Sequence, residues 1–536
     1  MATVGAGLDV YSGLNKHWKT TTKILFGAEL GELKDYEQWL AEYIRPPTSA
    51  KSSVSGKPTV LTTQNYNQNA SFASFDEVDF SRKFEPLNIN EIKDIDSIVA
   101  AVQERLYYTG NIVLGNSSNV DRSSNVVDSH FVYGSNVVSD SKYIGFSSEA
   151  RHSEHCFGCY VAAQSSYIIK SGGGWQTRCF ECHICQNTSD CYYATGLIDC
   201  RNCMFSFGVR GGSYLLGNLQ LQRDKYSELK KKLLAEIVEM LKSGKRAYSL
   251  FEVIATAQKY GRSSLKPAPR EEKFTLEPIE EAFANTSSVV LGKGLHGIDE
   301  YSAFLKKNVP QNAFTQSQLS GMRVAIGSHL AHLLGIYDIK DRMLDDREIA
   351  EVGKTSIDAA GAENLKFDLE SVSRALAPVA YGGLDSVMGN VSNTRDVTIT
   401  IDCMDCYNGS AFVQSKKCAY CHWPRESECI FGSSVALKSS FCIKCFCSAN
   451  IARAFEVDNC ENCADIYFSH NCENVRDSMF CFNTKNLNHA IGNAPIAQDK
   501  YGGVKKAILE QLGTQLESKK DIPWSVFSIV RNRTPK

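Results

Sequence analysis

Cysteine pairs three residues apart recur along the chain, at Cys156/Cys159, Cys179/Cys182, Cys182/Cys185, Cys200/Cys203, Cys403/Cys406, Cys418/Cys421, Cys442/Cys445 and Cys460/Cys463. Two thiolates at that spacing can hold one side of a tetrahedral ion, and two such pairs close a structural zinc site. Cys182, Cys185, Cys460 and Cys463 are the candidate ligands on that reading. A second candidate chemistry comes from charge: Arg178 lies three residues before Glu181, and Arg453 three before Glu456. Such a pair can bind or catalyse; as a structural pair it would tie one turn of chain to the adjoining loop. Asn218 and Asn493 each follow a glycine, a combination that shapes turns. "GKGLHG" (292–297) matches G-x-G-x-x-G, but no second strand with an acidic end follows at the distance a dinucleotide fold needs. No G-x-S-x-G, HExxH or Walker sequence is present.

The elements that position these residues follow a six-residue clock. From Asn111 the chain reads "NIVLGN SSNVDR SSNVVD SHFVYG SNVVSD SKYIGF SSEARH SEHCFG CYVAAQ SSYIIK". From the second block on, position one is serine or cysteine, and position four is Val120, Val126, Val132, Val138, Ile144, Ala150, Cys156, Ala162 and Ile168. No helix has this period and a flat strand alternates every two residues, so the pattern predicts a stacked β-solenoid. The clock slips by two at "SGGGWQTR", resumes to Gly208, and reappears from Cys403 to Asn483 with a slip of three. Three blocks per coil would give a triangular helix of roughly five coils. On this reading a CxxC pair arises wherever positions four and one of adjoining blocks are both cysteine, and cysteine is a small, readily buried side chain.

The two solenoids align with each other. Shifting Arg178–Leu234 by 275 residues onto Arg453–Leu509 makes 19 of 57 positions identical, and upstream a shift of 274 matches Arg151/Arg425, Phe157/Phe431, Gly158/Gly432 and Ser165/Ser439. This indicates a tandem duplication. Under it, seven of the eight cysteines in the first copy face Ile430, Ser433, Ala454, Val457, Ile466, Val475 and Ser478; Cys185 alone faces another cysteine, Cys460. Slots that accept Ile, Val, Ala or Ser are interior slots. His152 and His155, close to Cys156, face Glu426 and Cys429, which argues against a required ligand set.

The expected architecture is α+β: two tandem-duplicated β-solenoids with a six-residue repeat, each followed by a helix, with a mainly α-helical domain between them. Its parts are N-terminal helices and an extended arm (1–110), the first solenoid (111–215), its closing helix (216–245), the α-domain (246–399), the second solenoid (400–490) and a C-terminal helix and tail (491–536). "RDKYSELKKKLLAEIVEMLKSG" places Tyr226, Leu229, Leu233 and Ile237 on one helix face, suited to covering an open solenoid end. With 58 basic and 60 acidic residues in 536, the chain carries no electrostatic footprint for nucleic acid or an anionic membrane. No apolar run approaches the ~20 residues of a membrane helix, and the N-terminal residues show no secretory pattern.

At "TRCFE…SDCYY…CRNCMFSFGV…YLLGN…DKYSELKKKL" and "ARAFE…ADIYFSHNCENVRDSMFCFNTKN…AIGN…DKYGGVKKAIL" the chain resembles cysteine-rich repeat proteins encoded by tailed phages and uncultivated bacteria. The resemblance covers roughly 200 residues, the solenoids and their following helices. It supplies no enzymatic activity and no site residues. It implies a non-enzymatic virion component, head- or tail-associated, made in the host cytoplasm and present in multiple copies beside other assembly proteins, with no cofactor. The alternatives are a zinc-stabilised cytosolic scaffold and a solenoid enzyme acting on a carbohydrate or acyl substrate.

Overall fold

The computed structural model of the chain describes residues 9–45, 47–88, 92–267 and 273–531. It is a mixed α/β structure dominated by two large parallel sheets. The chain divides into two compact units. The first comprises residues 1–48, 111–271 and 313–386; the second comprises 49–110, 272–312 and 387–536. The stretch 246–399, expected as one α-domain, is therefore divided between the units, and residues 49–110, the larger part of the 1–110 region expected to hold N-terminal helices and an extended arm, belong to the second unit.

In the first unit the sheet is built at a spacing of twelve residues. Lys142–Gly145 pairs in parallel with His130–Tyr133 on one side and Glu154–Phe157 on the other, with Ile144 opposite Val132 and Cys156. Ser148–Arg151 pairs likewise with Asn136–Ser139. One rung is thus two six-residue blocks, not three. The rung is narrow because every third residue adopts the left-handed conformation: Asn119, Arg122, Asn125, Asp128 and Phe131 have φ of 54°, 48°, 55°, 46° and 56°. That conformation costs L-residues about 1–2 kcal/mol each, least for Asn, Asp and Gly, which accounts for the asparagines and aspartates at these corners. The residue after each corner points inward. Val126, Val132, Val138, Ile144, Ala150, Cys156, Ala162 and Ile168 form one continuous buried core with the cysteines beyond them. At 161–163 the spacing shortens to eleven, where Val161 pairs with Gly172.

The helix Val10–Phe26 lies on one face of this sheet, burying Leu14, Trp18, Leu25 and Phe26. Trp18 meets Phe157 edge-on at 5.4 Å and Phe26 meets Phe180 at 5.0 Å; each buried phenylalanine contributes about 2–3 kcal/mol by leaving water. The sheet ends in an antiparallel hairpin joining Arg210–Leu216 to Leu219–Gln220 through Gly217 and Asn218, both left-handed, the turn that matches strand twist. The helix Arg223–Gly244 follows, with Tyr226, Leu229, Leu233, Ile237 and Leu241 buried. Residues 313–386 add the antiparallel hairpin Ala313–Gln316/Arg323–Ile326 and the helices Asp346–Val352 and Leu369–Leu376. Within the stretch expected as a mainly α-helical domain, residues 320–344 contain a strand and short 3-10 turns, because Gly321 (φ 76°) reverses the chain ahead of "RVAI".

The second unit carries its own parallel sheet at the same twelve-residue spacing, for example Ser440–Ala449 on Ala452–Asp458 and then Ala464–Glu473. Cys403, Cys406, Cys418, Cys421, Cys442, Cys445, Cys460, Cys463, Cys472 and Cys481 line its interior with Ile430, Ala454, Val457 and Ile466. The helix Glu277–Leu291 is buried through Ile279, Ala282, Phe283, Val290 and Leu291, and Gln498–Lys519 closes the unit through Tyr501, Val504, Ile508, Leu512 and Leu516. The helix Ile95–Val102 sits here, with the Val102 side chain against Gly492.

Candidate functional site

The interior of each sheet holds the residues whose chemistry drew attention first. Ser117, Ser129, Ser141, Ser153 and Ser165 stand in one row. Each higher member donates its backbone N–H to the serine oxygen twelve residues earlier, at 3.0–3.1 Å. Each of the middle serines returns its own hydroxyl proton to the carbonyl two residues back, as Ser129 does to Val127 at 2.7 Å. Cysteine takes the same post. The Cys182 thiol donates to the carbonyls of Phe180 (3.5 Å) and Cys191 (3.2 Å), and Cys460 and Cys463 accept the N–H groups of Cys472 and Val475 at 3.4 Å. None of the twenty cysteines is in a disulfide; nineteen are buried and Cys447 is partly exposed. Burial pushes the Cys156, Cys182 and Cys406 thiols well up from their ordinary range, the direction that disfavours a thiolate. Cys182 and Cys185 lie in the first unit and Cys460 and Cys463 in the second. Among the described residues no group of three or more His, Cys, Asp or Glu side chains is placed to hold a metal ion.

Arg178 and Glu181 do not meet. Arg178 reaches outward and twelve residues on, gripping Asp190 through Nε (2.8 Å) and Nη2 (2.7 Å). Glu181 turns the other way and is fully buried. Its Oε2 accepts from the Tyr43 hydroxyl (2.7 Å) and the Leu250 N–H (3.0 Å), and lies 3.2 Å from His183 Nε2. The separation follows from the clock: Arg178 and Glu181 both occupy left-handed corners (φ 53° and 52°), and successive corners face different sides of the rung. Arg453 and Glu456 behave alike. Arg453 pairs with Asp465 at 2.6 Å, while the buried Glu456 accepts from Ser525 Oγ (2.9 Å) and Val526 N–H (2.8 Å). Asn218 and Asn493 each close the end of a sheet. The Asn218 side chain accepts the Phe207 N–H at 2.8 Å and donates to the Phe207 carbonyl at 3.0 Å, and Asn493 does the same with Phe482 at 2.8 and 2.6 Å.

The sequence reading missed the buried bases and acids around these carboxylates. Lys170 is fully buried, donating to the Trp39 carbonyl and to Glu42, both at 2.8 Å, and lying 3.8 Å over the Tyr43 ring. Lys444 donates to the Lys307 carbonyl, and desolvation, opposed by Glu456, lowers its ammonium to about 8. Desolvation raises the Glu456 carboxyl, opposed chiefly by Lys444. In the second unit, the Asp458 carboxylate lies 2.8 Å from His470 Nδ1 and accepts the Tyr66 hydroxyl at 2.6 Å, while His470 Nε2 accepts the Thr109 N–H at 2.9 Å. That acceptance fixes the proton on Nδ1, so the pair is an imidazole donating to a carboxylate. A signal for the lysines existed: "YIIKSG" and "FCIKCF" each place one lysine in an apolar run, at matching positions.

"GKGLHG" is not a nucleotide loop. It follows a helix, Glu277–Leu291, with Gly292 as its left-handed C-cap, and a short 3-10 turn comes after it; a dinucleotide site needs a strand before the loop and a helix N-terminus after it. His155 stacks on Tyr167 at 4.4 Å and meets Tyr143 at a tilt at 4.8 Å, and its Nε2 lies 3.0 Å from His17 Nδ1. No helix among the described residues is long and apolar enough to cross a membrane. Comparison with protein-family models, with curated proteins and with solved structures finds no match for this chain.

Proposed function

We propose that the chain is a non-enzymatic structural component of a large assembly, a tailed-phage particle, made in the host cytoplasm and present in the particle in multiple copies. On this proposal each parallel sheet is a β-solenoid of twelve-residue coils, and the two solenoids descend from one duplicated unit. The observation that carries the reading is what the buried ionisable groups do. Glu181 holds Tyr43 and the start of the helix at Leu250, Glu456 holds Ser525 and Val526, and Lys170 and Lys444 hold the carbonyls of Trp39 and Lys307. Each ties a peripheral segment to a rung, the work of a building element. The interior supports the same reading, since serine hydroxyls and thiols are engaged with the backbone of their own ladder. The resemblance to phage-encoded cysteine-rich repeat proteins names the assembly.

The test is quantitative mass spectrometry and electron microscopy of particles purified from cells carrying the gene. The chain is expected at fixed stoichiometry and at regular positions. A monodisperse protein absent from particles would overturn the proposal. Stoichiometric zinc with unfolding by chelator would move the reading to a metal-stabilised scaffold.

A further inference from the structure

We infer that the chain is two copies of one segment of about 265–275 residues that have exchanged their middle portions, so that each unit is completed by the other copy. This stands apart from the assembly reading.

The copies match beyond the sheets. The front portions correspond at a shift of 265: Trp18 with Phe283, Tyr36 with Tyr301 and Leu40 with Leu305, all buried. Thr22 Oγ1 accepts the Leu30 N–H at 3.2 Å, and Ser287 Oγ accepts the Leu295 N–H at 2.8 Å. The Leu25 carbonyl accepts the Tyr192 hydroxyl at 2.8 Å, and the Val290 carbonyl accepts that of Tyr467 at 3.0 Å. The middle portions correspond as well. Each opens with an antiparallel hairpin, Ser49–Lys51/Pro58–Val60 and Ala313–Gln316/Arg323–Ile326. Ser52 Oγ caps the first turn and donates to Glu77 at 2.6 Å; Ser317 Oγ caps the second and donates to Glu348 at 2.7 Å. Gly56 and Gly321 have φ of 77° and 76°. Asp94 caps the helix Ile95–Val102 through the Ser97 N–H, and Asp368 caps Leu369–Leu376 through the Ser371 N–H.

The order along the chain is front portion, middle portion, sheet, closing helix, then the same again. The units do not follow that order. The first copy's middle portion, 49–110, lies in the second unit. There Tyr66 donates to Asp458, the Thr109 N–H to His470, Tyr108 to the Val526 carbonyl at 2.8 Å, and Trp524 to Asp96 at 2.7 Å. The second copy's middle portion, 313–386, lies in the first unit. There Thr195 donates to the Gly383 carbonyl at 3.0 Å, Arg210 pairs with Asp346 at 2.6 Å, and the Ile357 N–H meets the Gly217 carbonyl at 3.0 Å. The end of each sheet is thus an interaction surface whose partner is the middle portion of a second copy, and the chain is such an exchanged dimer fused into one polypeptide.

The experiment inserts a specific protease site after Lys266 in the full chain and cleaves the folded protein. The two fragments are expected to co-elute as one particle of full mass and to separate only in denaturant; free fragments in native buffer overturn the inference. Tyr66→Ala with Tyr108→Ala, which removes two aromatic anchors of 49–110, is expected to speed separation of the cleaved fragments at least tenfold; an unchanged rate counts against the exchange. Should the insertion prevent folding, a benzophenone side chain at Trp524 in the uncut chain is expected to label the peptide carrying Asp96, and one at Asp346 the peptide carrying Arg210. Absence of both cross-links overturns it.

Discussion

Replacing Ser129 separates packing from hydrogen bonding in the interior ladder. Its hydroxyl donates to the Val127 carbonyl at 2.7 Å and accepts the Ser141 N–H at 3.0 Å, and both serines are essentially inaccessible to water. Ser129→Ala leaves the Ser141 N–H buried without its acceptor, a loss of about 1–3 kcal/mol. Ser129→Cys keeps an acceptor. The sulfurs of Cys460 and Cys463 already receive the N–H groups of Cys472 and Val475 from the rung above at 3.4 Å, and Cys159 occupies the rung above Ser147 in a neighbouring row. The cysteine variant is therefore expected to lose about 1 kcal/mol or less, and the alanine variant about 2 kcal/mol. Because a chain of two units need not unfold in one step, the assay is native-state amide exchange at Ser141. About 2 kcal/mol corresponds to roughly 30-fold faster exchange for alanine, with cysteine within about fivefold of the parent. Equal exchange in the parent and Ser129→Ala, or a cysteine variant worse than alanine, would refute the claim that the row is held through its hydroxyls.

Three further outcomes are expected. Gly158 is required by a neighbour rather than by its φ of 69°: an added Cβ would lie 2.8 Å from the Leu40 carbonyl oxygen, whereas at Gly196 (φ 65°) the nearest atoms are 3.5 Å away. Gly158→Ala should cost about 1–2 kcal/mol more than Gly196→Ala in matched denaturation curves, and equal costs would falsify the account. Burial lowers Lys444 from 10.5 to about 8, so between those pH values the unfolded chain carries a proton the folded chain lacks, and stability rises with pH through the window. Lys444→Met should remove that rise, on the order of 2–3 kcal/mol between pH 8 and 10; an unaltered pH slope in urea titrations would show that Lys444 titrates normally. Finally, Ellman's reagent in native buffer should reach Cys447 and leave the interior thiols unreacted until the protein unfolds, since nineteen of the twenty cysteines are buried. Fast modification of Cys182 or Cys460 would contradict their place in the ladder.

Much of the sheet was legible because its interior is written in the sequence at a fixed interval. Positions one and four of the six-residue block are the inward residues in the structure, as Ser129, Val132, Ser135 and Val138 show. The six-residue appearance comes from serine alternating with an apolar residue, whereas the backbone repeats every three. That explains why the two slips differ. The slip of three at Ile451 is no defect, because Ile451 and Ala454 both remain buried in the core of the second sheet. The slip of two is one residue short of a three-residue step, and it coincides with the eleven-residue spacing at Gly172–Gly174. There an added Cβ at Gly173 would strike the Cys185 carbonyl at 2.3 Å, and the Gln176 amide donates to the Gly172 and Cys185 carbonyls at 3.2 and 3.1 Å. The pairing interval was misjudged because inward spacing alone does not say how many residues separate paired strands; twelve do. The partners of Glu181 and Glu456 were illegible for another reason. Tyr43 lies 138 residues from Glu181 and Ser525 lies 69 from Glu456, contacts that no local pattern encodes. The placement of 49–110 escaped notice likewise, since its Ser/Thr/Asn-rich first part (49–74) reads as unstructured from composition, while the surface that buries its Leu61, Tyr66 and Phe72 lies hundreds of residues further along the chain.

The left-handed corner at every third residue makes the outer surface of each sheet a ruled scale. Inward and outward positions are set by the backbone, so an outward side chain can be changed without altering what lies inside. Residues twelve apart fall on one line at a pitch of about 4.8 Å. Asn450, Asn462, Asn474 and Asn486, with φ of 53°, 54°, 55° and 56°, mark such a line in the second unit, and Asn474 donates to Asn486 along it at 3.3 Å. A point mutation there erases a single graduation and leaves the rest in register, which makes the surface one on which chemical groups can be written at chosen, evenly spaced addresses.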